Sequence, residues 1–250
     1  MQFMPKISII TVVYNAEGLI ERTIKSVLCQ TYPSVEYVII DGASTDGTLK
    51  IIEKYQSTIK TLISEKDTGI YDAMNKGLAL ATGDYVIFLN AGDELQSETT
   101  LENVFKNVKD ADVYYGNTQV ADLNGNILGE RRLSPPENLT WKSFKFGMTV
   151  SHQSFIAKRT LCEPYSMDYR LASDIDWIIK ILKKSNKIVN THIYISKFLE
   201  GGLTSKLRKL AWTERFYVLV KHYGFIQTVI NHLFIAIRFL IQKITRKSMT

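Results

Sequence analysis

The first half of this chain repeatedly runs a β-branched, apolar stretch into a polar loop and then into a segment of helical periodicity, and few folds accommodate that order. Successive strands that alternate with helices pair in parallel, because the chain returns to the same sheet edge only by crossing over through a helix. The pattern therefore predicts an α/β fold with a mostly parallel central sheet flanked by helices. Strands are expected near Ile7 to Val13, Val35 to Ile40, Thr58 to Ile63, Tyr85 to Leu89 and Asp112 to Tyr115. A first helix from Glu17 to Gln30 sets Ile20, Ile24, Val27 and Leu28 on one face and stops before Tyr32-Pro33. A second starts at Thr45-Asp46 with Leu49, Ile52 and Tyr55 inward, and a third covers Ile70 to Leu80.

Beyond Tyr115 the alternation stops. Asp122-Leu-Asn-Gly-Asn126 reads as a hairpin turn and Ser134-Pro135-Pro136 opens a loop. A helix fits Asp174 to Lys184 and a strand fits Lys187 to Ile195, after which Gly201-Gly202 breaks the chain. The 250 residues are 45% apolar, enough for one substantial core, and divide into a body, 1–205, and a helical tail, 206–250. Charge follows that division. Nine Lys/Arg against Glu214 make the tail +8, which leaves −2 of the net +6 for the body. Cys29 and Cys162 belong to no C-x-x-C or Cys/His cluster, so they are expected as buried free thiols in a reducing compartment. The apolar run Ile7 to Val13 leads into Tyr14-Asn15 rather than a cleavage site, and a cytoplasmic protein without a signal peptide is expected.

In an open α/β sheet ligands bind beyond the carboxyl ends of the strands, where loops and helix N-termini converge. Polar residues collect there: Thr11 to Asn15, Asp41 to Asp46, Glu65 to Gly69 and Asn90 to Asp93. Neither G-x-G-x-x-G nor G-x-x-x-x-G-K-[ST] occurs, so phosphate needs another device. Asp93 either holds a divalent cation against a diphosphate or closes a turn. Asp41 accepts from a base or ribose, or makes an Asx turn. Asp174 and Asp176 open a helix, where acids cap and complement the dipole, and one of them is suited to take a proton from a hydroxyl. His152 in Ser-His-Gln-Ser is either a satisfied, partly buried histidine or an acceptor contact. His192, His222 and His232 share no metal-ligand spacing.

Taken in order, Ile7-Ser-Ile-Ile-Thr-Val-Val-Tyr-Asn15, Val38-Ile-Ile-Asp-Gly-Ala-Ser-Thr-Asp-Gly-Thr48, Asp67-Thr-Gly-Ile-Tyr-Asp-Ala-Met-Asn-Lys-Gly77, Gly83-Asp-Tyr-Val-Ile-Phe-Leu-Asn-Ala-Gly-Asp93, His152-Gln153 and Ser173-Asp174 resemble family 2 glycosyltransferases. These are bacterial enzymes with a GT-A fold that build capsule, lipopolysaccharide or exopolysaccharide. The resemblance implies an inverting, metal-dependent transferase that takes a nucleotide-sugar, commonly a UDP-sugar, and glycosylates a glycan or lipid-linked acceptor. It implies nucleotide-sugar contacts at Thr11, Tyr14, Asn15, Asp41, Ser44, Asp46, Asp67, Asn75, Lys76 and Asn90, Mg2+ or Mn2+ at Asp93, and a catalytic base at Asp174. His152 and Asp176 would lie on the acceptor side. Three positions depart from the family pattern: Gly92 and Ser173 stand where an acid is usual, and Met74 stands where many relatives have Arg. An inactive sugar-nucleotide-binding protein is the alternative that the first and last of these changes motivate.

Ile226, Ile230, Leu233, Ile237, Leu240 and Ile244 form one apolar face in the tail, while Gln227, Asn231, His232, Arg238, Gln242 and Lys243 interrupt any bilayer-spanning run. This predicts a peripheral helix on the inner face of the cytoplasmic membrane, or else a helix packed on its own domain or in a homodimer. A nucleic-acid footprint is not expected, because the basic segment is also strongly apolar.

Overall fold

The computed structural model describes residues 4–106, 109–202 and 207–247. Strands β1 (Ile7–Val13), β2 (Val35–Asp41), β3 (Thr61–Ser64) and β4 (Tyr85–Phe88) run parallel in the order β3-β2-β1-β4. Helices α1 (Ile20–Leu28), α2 (Thr48–Glu53) and α3 (Ile70–Leu80) make the crossovers. Every residue of β1 is buried, as expected of a central strand covered on both faces.

The sheet continues through strands of mixed direction. β8 (Phe155–Lys158) pairs antiparallel with β4 and with β6 (Val113–Ala121); β9 (Ile188–Leu199) runs parallel to β6; the short β5 (Glu94–Leu95) closes the far edge on β9. The hairpin turn at Asp122 to Asn126 joins β6 to β7 (Ile127–Glu130), with Asp122 accepting the backbone N–H of Asn124 and Asn126. Between them lie α4 (Thr100–Lys106) and α5 (Ser173–Lys184); α6 (Arg208–Tyr223) and α7 (Phe225–Lys247) follow.

One apolar layer, with Ile20, Ile24, Val27 and Phe105, lies under α1 and α4; the other, with Met74, Phe155, Trp177 and Val218, lies under α3, α5 and α6. Glu36, 3% exposed, ties the strand starts together by accepting from Ser8 Oγ (2.5 Å), Lys6 Nζ (2.8 Å) and the Thr82 N–H (2.7 Å). Burial opposes its charge, but these donors win and hold the carboxyl at about 2.

Several elements differ from expectation. α1 begins at Ile20, since residues 17–19 form a turn closed by the Leu19 N–H on Ala16 O. α2 begins at Thr48, where Asp46 accepts its N–H. β3 starts at Thr61 because residues 54–58 prolong α2 as turns, with Thr58 Oγ1 on Tyr55 O. β6 and β9 extend past their expected ends because each supplies the other's ladder. Cys29 is exposed just past α1 and Cys162 only partly buried, which corrects the expectation of two buried thiols.

Candidate functional site

The chain moves outward from β1 to β2 to β3 and then returns to place β4 on the other side of β1. The crevice at that switch point opens between the ends of β1 and β4, where the loops after them diverge. The first wall is a set of mutually pinned loops. Asp41, fully buried, accepts the Ser44 N–H (3.0 Å), Ser44 Oγ and Ser64 Oγ (2.6 Å). Asn15, at φ 45°, receives the Thr45 N–H on its Oδ1 (2.8 Å), and its own N–H goes to Ser44 Oγ (2.8 Å). Asp46 receives the N–H groups of Thr48 (2.9 Å) and Glu17 (3.1 Å). Thr11 is fully buried against Tyr37 Oη at 3.1 Å. Thr11 and Asp41 thus act inside the wall rather than on its surface, because their polar atoms face protein partners.

Tyr14 and Asp67 lie at the surface of this wall. The Tyr14 ring is 62% exposed. A Cβ on Gly42 would lie 2.3 Å from Asp67 Oδ2 and 3.4 Å from Tyr14 Cδ2, so ring, carboxylate and bare backbone converge at one point. Such an arrangement can stack a planar ring and accept hydrogen bonds from its N–H groups. Sequence reasoning misses Gly42, since a glycine's closeness to two distant side chains leaves no local signal.

The second wall is the turn after β4. Thr23 of α1 clamps it: its Oγ1 accepts the Gly92 N–H and donates to Asp93 O, both at 2.8 Å. Gly92 sits at φ 98°, and a Cβ there would meet Leu199 Cδ2 at 2.7 Å, so an acid at this position would be strained and obstructed. Asp93 is 3% exposed; its Oδ1 accepts the Leu199 N–H (2.9 Å) and its Oδ2 accepts Gln153 Nε2 (2.7 Å). Burial raises its pKa to about 6 against those hydrogen bonds and the nearby His152 and Arg22, which pull it down. Among the described residues no group of three His, Cys, Asp or Glu is placed to hold a cation. The expected cation at Asp93 therefore does not fit: this carboxylate faces inward and fastens the turn to β9 and to Gln153.

Between the walls, at the start of α5, stands Asp174. His152 Nδ1 lies 3.5 Å from its Oδ2, and Tyr71 Oη donates to its Oδ1 at 3.3 Å. On the other side of the imidazole, Asn90 Nδ2 is 3.2 Å from Nε2. With the amide donating to Nε2, the neutral ring carries its proton on Nδ1 and gives it to Asp174. Burial works against the Asp174 charge, yet the His152 hydrogen bond and the nearby His152 and Arg215 hold its pKa below the ordinary carboxylate value. Asn90 Oδ1 is buried with no partner among the described residues, an acceptor left over in the crevice.

Three other expected site residues are engaged elsewhere. Both ends of the Asn75 amide grip the backbone of Tyr165, Nδ2 to its O (3.0 Å) and Oδ1 from its N–H (2.7 Å). Lys76 Nζ pairs with Glu65 (2.8 Å) and Asp72 (3.7 Å) and donates to Lys66 O (2.9 Å), so its charge is already answered. Asp176 is fully buried and turned toward α6, where Lys221 (2.9 Å) and His222 (2.8 Å) meet it, with Lys180 (2.9 Å) on its own helix. It does not face His152, which corrects its placement on the acceptor side.

Comparison with known proteins agrees with this architecture. The family model described as glycosyl transferase family 2 matches residues 8–167. A PGL/p-HBAD biosynthesis glycosyltransferase of Mycobacterium tuberculosis is 30% identical over 81% of this chain and 80% of its own length. The Escherichia coli UDP-Glc:alpha-D-GlcNAc-diphosphoundecaprenol beta-1,3-glucosyltransferase WfgD is 30% identical over 77% of this chain and 76% of its own. Among solved structures, S. aureus TarS in complex with UDP superposes with a TM-score of 0.66 at 21% identity, over 86% of this chain and 64% of that one. The mannosyltransferase PcManGT of Pyrobaculum calidifontis, in complex with GDP-Man and Mn2+, gives 0.63 at 17% identity, over 99% and 81%. The shared architecture is the GT-A fold.

Proposed function

The chain belongs to glycosyl transferase family 2, and from that membership we propose that it is an inverting enzyme that moves a sugar from a UDP-sugar to a hydroxyl of a lipid-linked glycan. UDP as the nucleotude and a diphospholipid-borne sugar as the acceptor are suggested by the names of TarS in its UDP complex and of WfgD. The observation that carries the reading is Asp174, a partly buried carboxylate held ionised by His152 at the mouth of the switch-point crevice.

The base of the nucleotide stacks on Tyr14 and is read by Asp67 at Gly42, with the Asn15, Ser44 and Asp46 loops holding that wall rigid. Asn90 Oδ1, the unpaired acceptor, takes a hydroxyl of the donor sugar. The acceptor hydroxyl gives its proton to Asp174 as its oxygen attacks the anomeric carbon; the bond from that carbon to the phosphate oxygen breaks and UDP leaves with the electron pair. His152 keeps Asp174 oriented and charged before the step. One displacement inverts the anomeric configuration.

The outer surface of α6 and α7 serves a lipid-borne acceptor by lying on the membrane. Phe225, Ile226, Ile230, Leu233, Phe234 and Ile237 are all more than half exposed, whereas Thr228 and Asn231 are buried. A helix that turns its polar side in and its apolar side out fits an apolar medium outside. No described helix is long and apolar enough to cross a membrane, so the contact proposed is peripheral, on the anionic cytoplasmic leaflet.

The deciding experiment pairs UDP binding with transfer. UDP should raise the melting temperature of the wild type and of Asp174→Asn alike, while the variant loses roughly 10^2- to 10^4-fold in transfer. Full activity of Asp174→Asn, or retained anomeric configuration in the product by NMR, sinks the mechanism.

A further inference from the structure

The two oxygens of the Asp174 carboxylate are not held alike. Oδ1 receives two donors, the Tyr71 hydroxyl at 3.3 Å and the N–H of Ile175 at 2.9 Å. Oδ2 has a longer contact, with His152 Nδ1 at 3.5 Å. A carboxylate oxygen offers about two lone-pair sites, so Oδ1 is filled and Oδ2 keeps room for a further hydroxyl. The Ile175 N–H belongs to the same helix as Asp174 and moves with it. Tyr71, from the first turn of α3, is the donor to Oδ1 that comes from another element.

Tyr71 is itself held in place. Its ring is 6% exposed and stacks on Tyr165, with centroids 5.3 Å apart and 21° between the planes. Tyr165 stacks in turn on Trp177, at 4.9 Å and 11°, three residues beyond Asp174 on α5. Phe88 of β4 meets Tyr165 and Trp177 edge-on at 5.2 and 5.5 Å. Asn75, one turn after Tyr71, grips the Tyr165 backbone, and Trp177 Nε1 donates to Glu163 O at 2.8 Å. This column of rings runs from α3 to α5 and sets the Tyr71 hydroxyl against the carboxylate. A phenylalanine would complete the same stack, so packing does not account for the hydroxyl. The turn that starts α3 also carries Asp67, which accepts the Gly69 N–H at 2.9 Å, so the nucleotide wall and the Tyr71 donor are four residues apart in one segment.

We propose that Tyr71 is a positioning residue for transfer: its hydroxyl occupies Asp174 Oδ1 and so presents Oδ2 to the acceptor hydroxyl. The assignment rests on the transferase reading above, in which Asp174 takes the proton. Tyr71 and His152 touch the carboxylate; Tyr165, Arg131, Arg215 and Glu214 also bear electrostatically on Asp174 or Tyr71.

The test is Tyr71→Phe, which keeps the ring and its stack. UDP should raise its melting temperature as it does that of the wild type, which shows that it folds; KM should hold while kcat falls roughly 10- to 100-fold. With one donor gone the ionised carboxylate is less stabilised, so the acid limb of the kcat profile should move to higher pH. The Asp174 carboxyl resonance, assigned by its absence in Asp174→Asn, should titrate at higher pH by carbon NMR as well. In the Asp174→Asn background the same substitution should cost nothing further, because Tyr71 acts through that carboxylate. Wild-type kcat with an unmoved acid limb overturns the assignment. So does a fall in kcat with an unshifted carboxyl, or the same further loss in the double variant, since either makes Tyr71 act apart from Asp174. Loss of UDP affinity would assign Tyr71 to the donor and overturn it too. The NMR titration needs no turnover, so the two readings fail separately: a Tyr71-dependent carboxyl shift in a protein that transfers no sugar would sink the transferase reading and leave the hydroxyl's hold on Asp174 standing.

Discussion

Asp174 and Asp176 stand two residues apart on one helix, about 200° around its axis, and that angle separates their fates. One meets Tyr71 and His152 at the crevice; the other is sealed against α6 by Lys221 and His222. At the sequence level both read as helix-opening acids, and only partners remote in the chain tell them apart. The His152 contact carries a pH prediction. Burial pushes the Asp174 pKa up and His152 pulls it down, so His152→Ala removes the pull and leaves the burial. A base must be ionised to work, and activity falls as pH drops through its pKa. The acid limb of the kcat profile should therefore move to higher pH in His152→Ala, with UDP affinity unchanged. A profile that loses height without moving would reduce His152 to a packing residue.

The element with the largest departure from its expected place is α6. The sequence suggests a basic tail distinct from the body, yet Ala211, Val218 and Leu219 are buried, Val218 within the core layer under α5. Glu214 and the Asp176 cluster fasten α6 to α5 at two levels. The expected boundary at Lys206 itself lies outside the described residues. Asp176→Asn should destabilise the protein by roughly 2 kcal/mol in urea unfolding, less than the 3–5 of a wholly buried pair because Lys180 and Lys221 reach water and Asn still accepts hydrogen bonds. Burial opposes the Asp176 charge, but His222, Lys180 and Lys221 win and depress its pKa below the ordinary 3.8. Its stabilisation is thus present above that value and lost as pH falls below it, so the variant and the wild type should converge in acid. A constant gap across pH 2–6 would show that the effect is steric.

At the scale of the whole molecule, α6 faces two ways: Glu214 holds the Arg170 and Leu171 backbone that leads into α5, while Trp212 and Tyr217 are exposed at 66% and 58%. α7 continues the apolar surface, and Phe234 packs near Phe146 with ring centroids 5.6 Å apart. The side chains of Leu240 and Ile244, which the sequence puts on the same apolar face, lie outside the described residues. Removal of 224–250, sparing α6, should abolish sedimentation with anionic vesicles and preserve UDP binding. Salt should weaken the wild-type interaction without eliminating it, since each Lys or Arg near an anionic surface contributes about 1 kcal/mol on top of the apolar part. Equal partitioning of the two proteins would make α7 a packing or dimer element.

The strand and helix alternation, the polar strand exits and the two-sided burial of β1 were legible in the sequence, because each depends on side-chain periodicity within a few residues. So was the position of Asp174 at a helix start and the apolar face of the tail. What each polar side chain does was decided by tertiary structure. Asp93 is answered by Gln153 and Leu199, 60 and 106 residues away, and those two bonds turn an expected cation ligand into a fastening. Asn75 and Lys76 are spent on Tyr165, Glu65 and Asp72, while Arg215 Nε is buried with no hydrogen-bond partner among the described residues. The charge of a side chain is written in its chemistry, but its availability depends on which distant groups fold against it, and no local pattern encodes that.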